Sequence, residues 1–273
     1  MDKTPPLLNS SLKSQFPFRL SVPSFVYPAD YATNVKLLGP FVDEIELLFF
    51  ESAEQSLPTA TQIQELSGLA ARLDLFYNVH LPLDLDLGSE NDLQRRHAVE
   101  RLTQIIQLSA PLRPTTHTLH LQFNDKNSCQ LDTWRTRTLA SLEILLRKTN
   151  LPPRAISVET LDYPPEWMAP VVNRLNLSVC VDVGHLIING FDLLQTLQQF
   201  GNRTNIIHLH GVSGGKDHRG LDQLQPAILE FMRGFLSHYC GTLSLEIFSL
   251  IPLQNSLRIL SEMLASTLEK NKS

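Results

Sequence analysis

Residues 206–218 read IIHLHGVSGGKDH, which places three histidines, an aspartate and a lysine behind an apolar run that ought to be buried. His208 and His210 stand two apart, and side chains on a strand repeat every second residue, so both fall on one face. Two imidazoles sent to one side of a core strand suit metal ligation or contact with a charged substrate. Other apolar runs end the same way, in Glu44 and Glu46, His80, His120, Glu159, Asp182 with His185, and Glu246. A single histidine on an apolar strand is ordinarily a hydrogen-bonded core residue. Here such residues recur at equivalent positions, and His97, His117 and His238 alone among the nine histidines fall outside the set. Burying unpaired charges together costs several kcal/mol each, and bound divalent cations are the simplest reason a fold would tolerate it.

The elements that must carry these residues are short, β-branched-rich runs at 18–25, 42–50, 75–83, 115–123, 154–160, 177–185, 204–212 and 241–249. Between them, apolar residues spaced by three and four predict amphipathic helices, among them 59–73, 91–108 and 131–148. Asp30, Thr59 and Asn91 are the expected N-caps of the first three helices, and Asp222 or a neighbour that of the seventh. Strand alternating with helix favours a parallel sheet. Eight such units predict a closed (β/α)8 TIM barrel, whereas an open doubly wound sheet would use fewer strands and a Gly-rich first turn that is missing. In a barrel the chemistry collects at the C-terminal strand ends, where these polar residues sit.

The donors are nitrogen and oxygen, which suits Zn2+, Mn2+, Fe2+ or Co2+ better than Mg2+ or Ca2+, with zinc or manganese the expected metal and one to three ions the expected number. DVGH gives Asp182 and His185 a spacing that lets both reach one ion, and Glu159 could bridge two. Two ions about 4 Å apart can activate a water and stabilise the attacking and leaving oxygens of a phosphoryl displacement, or polarise a hydroxy-ketone for isomerisation.

The 273 residues carry 23 Lys+Arg against 28 Asp+Glu, for a formal net charge of -5, with no long block of like charge. That argues against an extended nucleic-acid groove. Cys129, Cys180 and Cys240 form no C-x-x-C pair and read as thiols in a reducing compartment. No secretory leader and no apolar stretch of membrane-spanning length is visible, so the expectation is a cytoplasmic protein with no membrane partner: a flexible leader over 1–15 and one catalytic domain over 16–273.

The order His80, His120, Glu159, DVGH, IIHLHG, DH, Glu246 resembles the xylose-isomerase-like barrel superfamily, also called the AP endonuclease family 2 superfamily, which holds sugar isomerases and epimerases and the apurinic endonuclease IV group. VHLPLDLDLG (79–88) is similar to an endonuclease segment in which asparagine stands in place of one of these aspartates. From Phe18 to about Leu260, the strings SFVYPADYATNVKLLGPFVDEIELLFFES, SVETLDYPP, LSVCVDVGHLI, KDHRGLDQL and LSLEIFS resemble the cobamide-remodelling phosphodiesterase family (CbiR). That resemblance implies hydrolysis of the nucleotide-loop phosphodiester of cobamides, a small-molecule substrate, to cobinamide phosphate and the lower-ligand riboside.

By position, the resemblance implies metal ligation by His80, His120, Glu159, Asp182, His185, His208, Asp217, His218 and Glu246, with Glu159, Glu246 and Asp182 carrying catalysis. One departure stands out: the endonuclease group has D-x-H in the seventh loop, and here Asp217 and His218 are adjacent, with His210 the alternative ligand. Glu46 is a candidate base or ligand, and Glu44 a candidate ion-pair partner. Lys216 and Arg219 could hold phosphate oxygens, and Tyr27, Asp162 and Tyr163 could line a site for a large planar ligand. The alternatives are a sugar or sugar-phosphate isomerase or epimerase, with Glu159 and Glu246 as acid and base on either side of one metal-bound sugar; an abasic-site endonuclease; and a non-catalytic metal- or corrinoid-binding protein.

Overall fold

The protein is described here by a computed structural model covering residues 7–123 and 129–270. Eight parallel strands close into a barrel: β1 (Arg19–Pro23), β2 (Glu44–Leu48), β3 (Phe76–His80), β4 (His117–Leu119), β5 (Ile156–Glu159), β6 (Ser178–Asp182), β7 (Thr204–His208) and, after a small antiparallel hairpin of β8 (Gly211–Ser213) and β9 (Lys216–Arg219), the closing strand β10 (Thr242–Ser244). Around the ring the order is β1-β10-β7-β6-β5-β4-β3-β2. This is the expected (β/α)8 TIM barrel.

The helices are α1 (Tyr31–Leu38), α2 (Ala60–Leu73), α3 (Asp92–Ser109), α4 (Leu131–Thr149), α5 (Ala169–Leu175), α6 (Val183–Asn189), α7 (Leu193–Phe200), α8 (Pro226–Leu236) and α9 (Leu250–Lys270). The first three start where short polar side chains can satisfy their first N–H groups, as α6 and α7 do with Asp182 and Asp192. Asp30 accepts from the Thr33 amide, Thr59 forms a reciprocal capping box with Gln62, and Asn91 accepts from the Leu93 amide. The helix after β7 departs from expectation: Asp222 lies in a single 3-10 turn, and α8 begins at Gln225 with Pro226 in its first turn. A proline there needs no cap for an amide it lacks. No helix among the described residues is long and apolar enough to cross a membrane.

Several strands are shorter than their apolar runs. The run at 204–212 pairs in the barrel only to His208, and Gly211–Ser213 bends out into the hairpin. Its turn is Gly214-Gly215 at φ +59° and +71°, the two positive angles that a tight two-residue hairpin needs and glycine supplies without strain. Likewise His120 lies one residue past β4 and Glu246 two past β10.

The barrel interior is polar at its base. Glu44 is fully buried, accepts from Asn78, Thr115 and Thr242, and is 2.9 Å from the Arg19 guanidinium, the cation expected for it. Residues 1–6 lie outside the described residues, but 7–15 are docked rather than frayed. Leu8 and Leu12 join the core at 4% and 5% exposure, the Leu12 amide donates to Phe41, and the Ser14 amide donates to the Asp43 carboxylate. Asp43 also accepts from the Leu20 amide at 2.9 Å, tying this segment to the foot of β1. Asp43→Ala leaves the buried Leu20 amide without a partner, at about 1–3 kcal/mol, while water can take the exposed Ser14 amide. The expected outcome is a denaturant midpoint lowered without a change in slope, read by circular dichroism.

Candidate metal centre

Above that base the strand ends converge on Glu159, which closes β5 at 1% exposure. Its Oε2 lies 3.0 Å from His80 Nε2, at the end of β3, and 3.0 Å from His120 Nε2. Its Oε1 lies 3.2 Å from His185 Nδ1 and 3.7 Å from His208 Nδ1. A single carboxylate thus faces four imidazoles from four sectors of the ring. Asp182 caps α6 through the His185 amide, so the D-x-x-H spacing is the geometry of a helix N-terminus. Its other contacts are His185 Nδ1 at 3.5 Å, His208 Nδ1 at 3.7 Å and His210 Nε2 at 3.2 Å.

His208 shows what this arrangement lacks. It is fully buried, yet neither ring nitrogen makes a hydrogen bond, although Glu46 Oε1 is 3.0 Å from Nε2. Its Nδ1 is surrounded by carboxylate oxygens at 3.4 Å (Glu246), 3.7 Å (Asp182) and 3.7 Å (Glu159), too long for hydrogen bonds. Four donors placed tetrahedrally at about 2.1 Å from one ion stand about 3.4 Å apart. Glu159, Asp182 and Glu246 around His208 thus offer a candidate donor set for one divalent cation, and His80 also groups with His208 and Glu246. His80, His120 and Glu159 bring ligand atoms within 4.8 Å of one another and could hold a second, with Glu159 between the two.

His185, Asp217 and His218 form a third such group. Asp217 Oδ2 is 3.8 Å from His185 Nε2 and 3.9 Å from His218 Nε2. Neighbours in a regular strand point to opposite sides, so an adjacent pair would ordinarily split. His218 escapes that rule with a φ of +51°, a left-handed angle that breaks the alternation of β9. Its backbone amide donates to His210 Nδ1 at 3.0 Å, and its ring is 3.1 Å from the Glu246 carbonyl. His210 in turn lies against Asp182, and it also groups with His218 and Glu246.

The electrostatics agree with a cation-binding site. Among the described residues no lysine or arginine ion-pairs with Glu46, Glu159, Asp182, Asp217 or Glu246. Burial alone would raise the Glu159 and Asp182 carboxyls. The imidazoles of His120 and His208 outweigh it for Glu159, and those of His210 and His185 for Asp182, so both sit well below the usual carboxylate range. Burial, abetted by the Glu46 and Glu159 carboxylates and opposed by His208, pushes Glu246 up to about 7. Against the cost of burial, the Glu159 carboxylate lifts His80 to about 9, and Asp182 and Glu159 lift His185 to about 10. These imidazoles hold protons in place of cations. His117, outside the centre, shows the contrast: burial pushes it down to about 4.

Other predicted residues are placed differently. Tyr163 is 4% exposed, donates its hydroxyl to the Leu121 carbonyl and packs with Phe123, Trp134 and Trp167, so it belongs to the core. Tyr27 is 7% exposed in the loop after β1, where its backbone clamps the Asn34 side chain. Lys216 and Arg219 are exposed on β9 and form no ion pair among the described residues. Asp162 does reach the site. With His120, Gln122, His185, Asn189 and Asp217 it lines a cavity of about 510 Å3 at the mouth.

Sequence reasoning missed Cys180 and Gly184. Cys180, read as an ordinary core thiol, stands beside Glu159 on the neighbouring strand, and its sulfur groups with Glu159 and His208; burial keeps the thiol protonated. The signal was its place two residues before Asp182 on one strand face. Gly184 lies against the His210 ring, where a Cβ would come within 1.9 Å of Cε1.

Over residues 34–266 the sequence matches the xylose isomerase-like TIM barrel family, and the chain belongs to it. No curated protein matches the chain. Among solved structures, a D-tagatose 3-epimerase-like protein superposes with a TM-score of 0.78 at 19% identity, covering 93% of this chain and 99% of its own. L-ribulose 3-epimerase gives 0.71 at 16%, covering 93% and 97%. Endonuclease IV from Thermus thermophilus gives 0.66 at 16%, covering 92% and 99%. At these identities the likeness is one of fold.

Two outcomes are expected here. Asp217→Ala, loaded with zinc or manganese and analysed by mass spectrometry for metal per chain, carries one ion fewer than the parent; equal content removes the hairpin from the centre. Gly184→Ala displaces His210 and lowers stability by about 1–3 kcal/mol through overpacking, measured by denaturant unfolding.

Proposed function

We propose that the protein is a metal-dependent phosphodiesterase. The observation that carries this reading is the bridging position of Glu159 between two donor sets, with a third set beside them on the hairpin. Isomerisation at one metal would use Glu159, Asp182, His208 and Glu246 and leave His80, His120, Asp217 and His218 without a role. Divalent ions held in these sets would supply an activated water and positive charge for the phosphoryl oxygens. The chain's part is to hold that cluster rigidly. Glu159 and Asp182 orient the imidazoles, Glu246 and His208 close the inner set, and the Glu46 carboxylate lies 3.0 Å below the His208 ring. Asp162 and Asn189 at the cavity wall offer hydrogen-bonding groups to sugar hydroxyls.

The resemblance of SVETLDYPP, LSVCVDVGHLI and LSLEIFS to cobamide-remodelling phosphodiesterases supports a cobamide as the substrate, cleaved at its nucleotide loop. The formal charge of -5 and the carboxylates Asp86 and Glu90 beside the cavity-forming Gln122 and Phe123 disfavour a DNA backbone. A second reading, sugar epimerisation, is favoured by the epimerase names among the similar structures and by the donor set around His208.

Metal-loaded protein incubated with adenosylcobalamin should release cobinamide phosphate and a riboside, detected by chromatography with mass detection. His120→Ala and Glu159→Ala should each reduce the rate by about 100-fold or more. Intact cobamide together with interconversion of a ketose would replace this reading with the second.

A further inference from the structure

Three phenylalanines from three loops stand in line on the rim: Phe25 after β1, Phe50 after β2 and Phe248 after β10. Ring centroids are 5.3 Å apart for Phe25 and Phe50 and 6.3 Å for Phe50 and Phe248, and the row continues to the His218 imidazole 4.7 Å from Phe248. Phe50 is 41% exposed, and its two neighbours are half-buried. The row is held from behind. Phe25 packs edge-on against Tyr31 at 5.4 Å, Tyr31 against buried Phe49 at 5.9 Å, and the Tyr31 hydroxyl donates to the Leu48 carbonyl. A fixed, partly exposed aromatic row touching a charged centre is a surface prepared for a ligand rather than scattered apolar exposure.

Its position says which part of the ligand it meets. In the ring order, β1 lies across from β5, so the row and the polar cavity lined by His120, Asp162 and His185 flank the donor cluster on opposite sides. We propose that Phe25, Phe50 and Phe248, whose rings turn by 40° and 69° from one to the next, form a stepped aromatic platform, with Phe50 its exposed stacking face, for a broad unsaturated ring system on one arm of an unsymmetrical phosphodiester, while the sugar-bearing arm occupies the polar cavity. The proposal rests on the phosphodiesterase reading. It gives that reading a substrate polarity: the ring-bearing product leaves over Phe50 and the riboside leaves over Asp162.

Cobinamide carries the conjugated ring system but no phosphodiester, so its equilibrium binding to the metal-loaded protein, followed by dialysis and absorbance, reports on the platform alone. Phe50→Ala should weaken binding by about 10-fold, the scale of one lost stacking contact, with metal content unchanged, and Phe50→Trp should restore it. With adenosylcobalamin, Phe50→Ala should raise KM and leave kcat near the parent value. Absence of cobinamide binding, or equal binding by Phe50→Ala, overturns the platform even where adenosylcobalamin is hydrolysed. Binding that depends on Phe50, without hydrolysis, keeps the platform and overturns the phosphodiesterase. A fall in the solution mass of Phe50→Ala, measured by sedimentation, identifies the row as a contact between copies of this chain and also overturns the proposal.

Discussion

Glu159 is the constraint around which the upper half of the barrel is built. It is 1% exposed, with His80 and His120 on one oxygen and His185 and His208 toward the other. Carboxylates and imidazoles gathered so closely in a low dielectric repel or lose hydration unless positive charge sits among them. Protons on the histidines give part of that charge. They cannot satisfy His208, whose nitrogens find oxygens only at wrong angles or at separations of 3.4–3.7 Å. Ions between the donors resolve both problems with one geometry.

Strand β2 contains the control for this argument. Glu44 and Glu46 lie two residues apart on the same face, and both are fully buried. Glu44, at the base, is completed by protein groups: Arg19, Asn78, Thr115 and Thr242. Glu46, one layer higher, has Ser244 on one oxygen and leaves the other without a hydrogen bond beside His208. The chain can satisfy a buried carboxylate with its own donors. It does so at the foot of the barrel, whereas at the mouth the second Glu46 oxygen has only the His208 imidazole, at 3.0 Å and without hydrogen-bond geometry.

Much of this was legible in the sequence, because strand ends and helix caps are local. Asp30, Thr59 and Asn91 cap as their types dictate, and period-two spacing sends His80, Glu159 and His208 inward once the barrel is assumed. What failed was decided by long-range packing or by backbone angles that residue type does not reveal. Tyr163 looked like a rim residue, but the neighbouring Phe123, Trp134 and Trp167 draw it into the core. Cys180 was passed over because it was weighed against the other cysteines, with which it forms no pair, and not against Asp182 two residues along the same strand. The run through 212 promised a long strand, and only the paired glycines at 214 and 215 hinted that it turns back.

The adjacent pair Asp217-His218 shows how a local departure can preserve a global arrangement. A regular strand would give one of the two to the solvent. A residue at φ +51° costs backbone energy for a histidine, and its polar contacts lie in the centre: His210 takes its amide and the Glu246 carbonyl faces its ring. The inner quartet of Glu159, Asp182, His208 and Glu246 comes from barrel strand ends and their immediate extensions, which the fold fixes. The outer set depends on His185 in the first turn of α6 and on a hairpin set on the loop after β7, which the fold leaves free to vary. Single-ion chemistry needs only the first group. The left-handed angle at His218 turns its side chain toward that second group, and the same imidazole carries the end of the aromatic row, so the hairpin joins the outer donor set to the surface beside it.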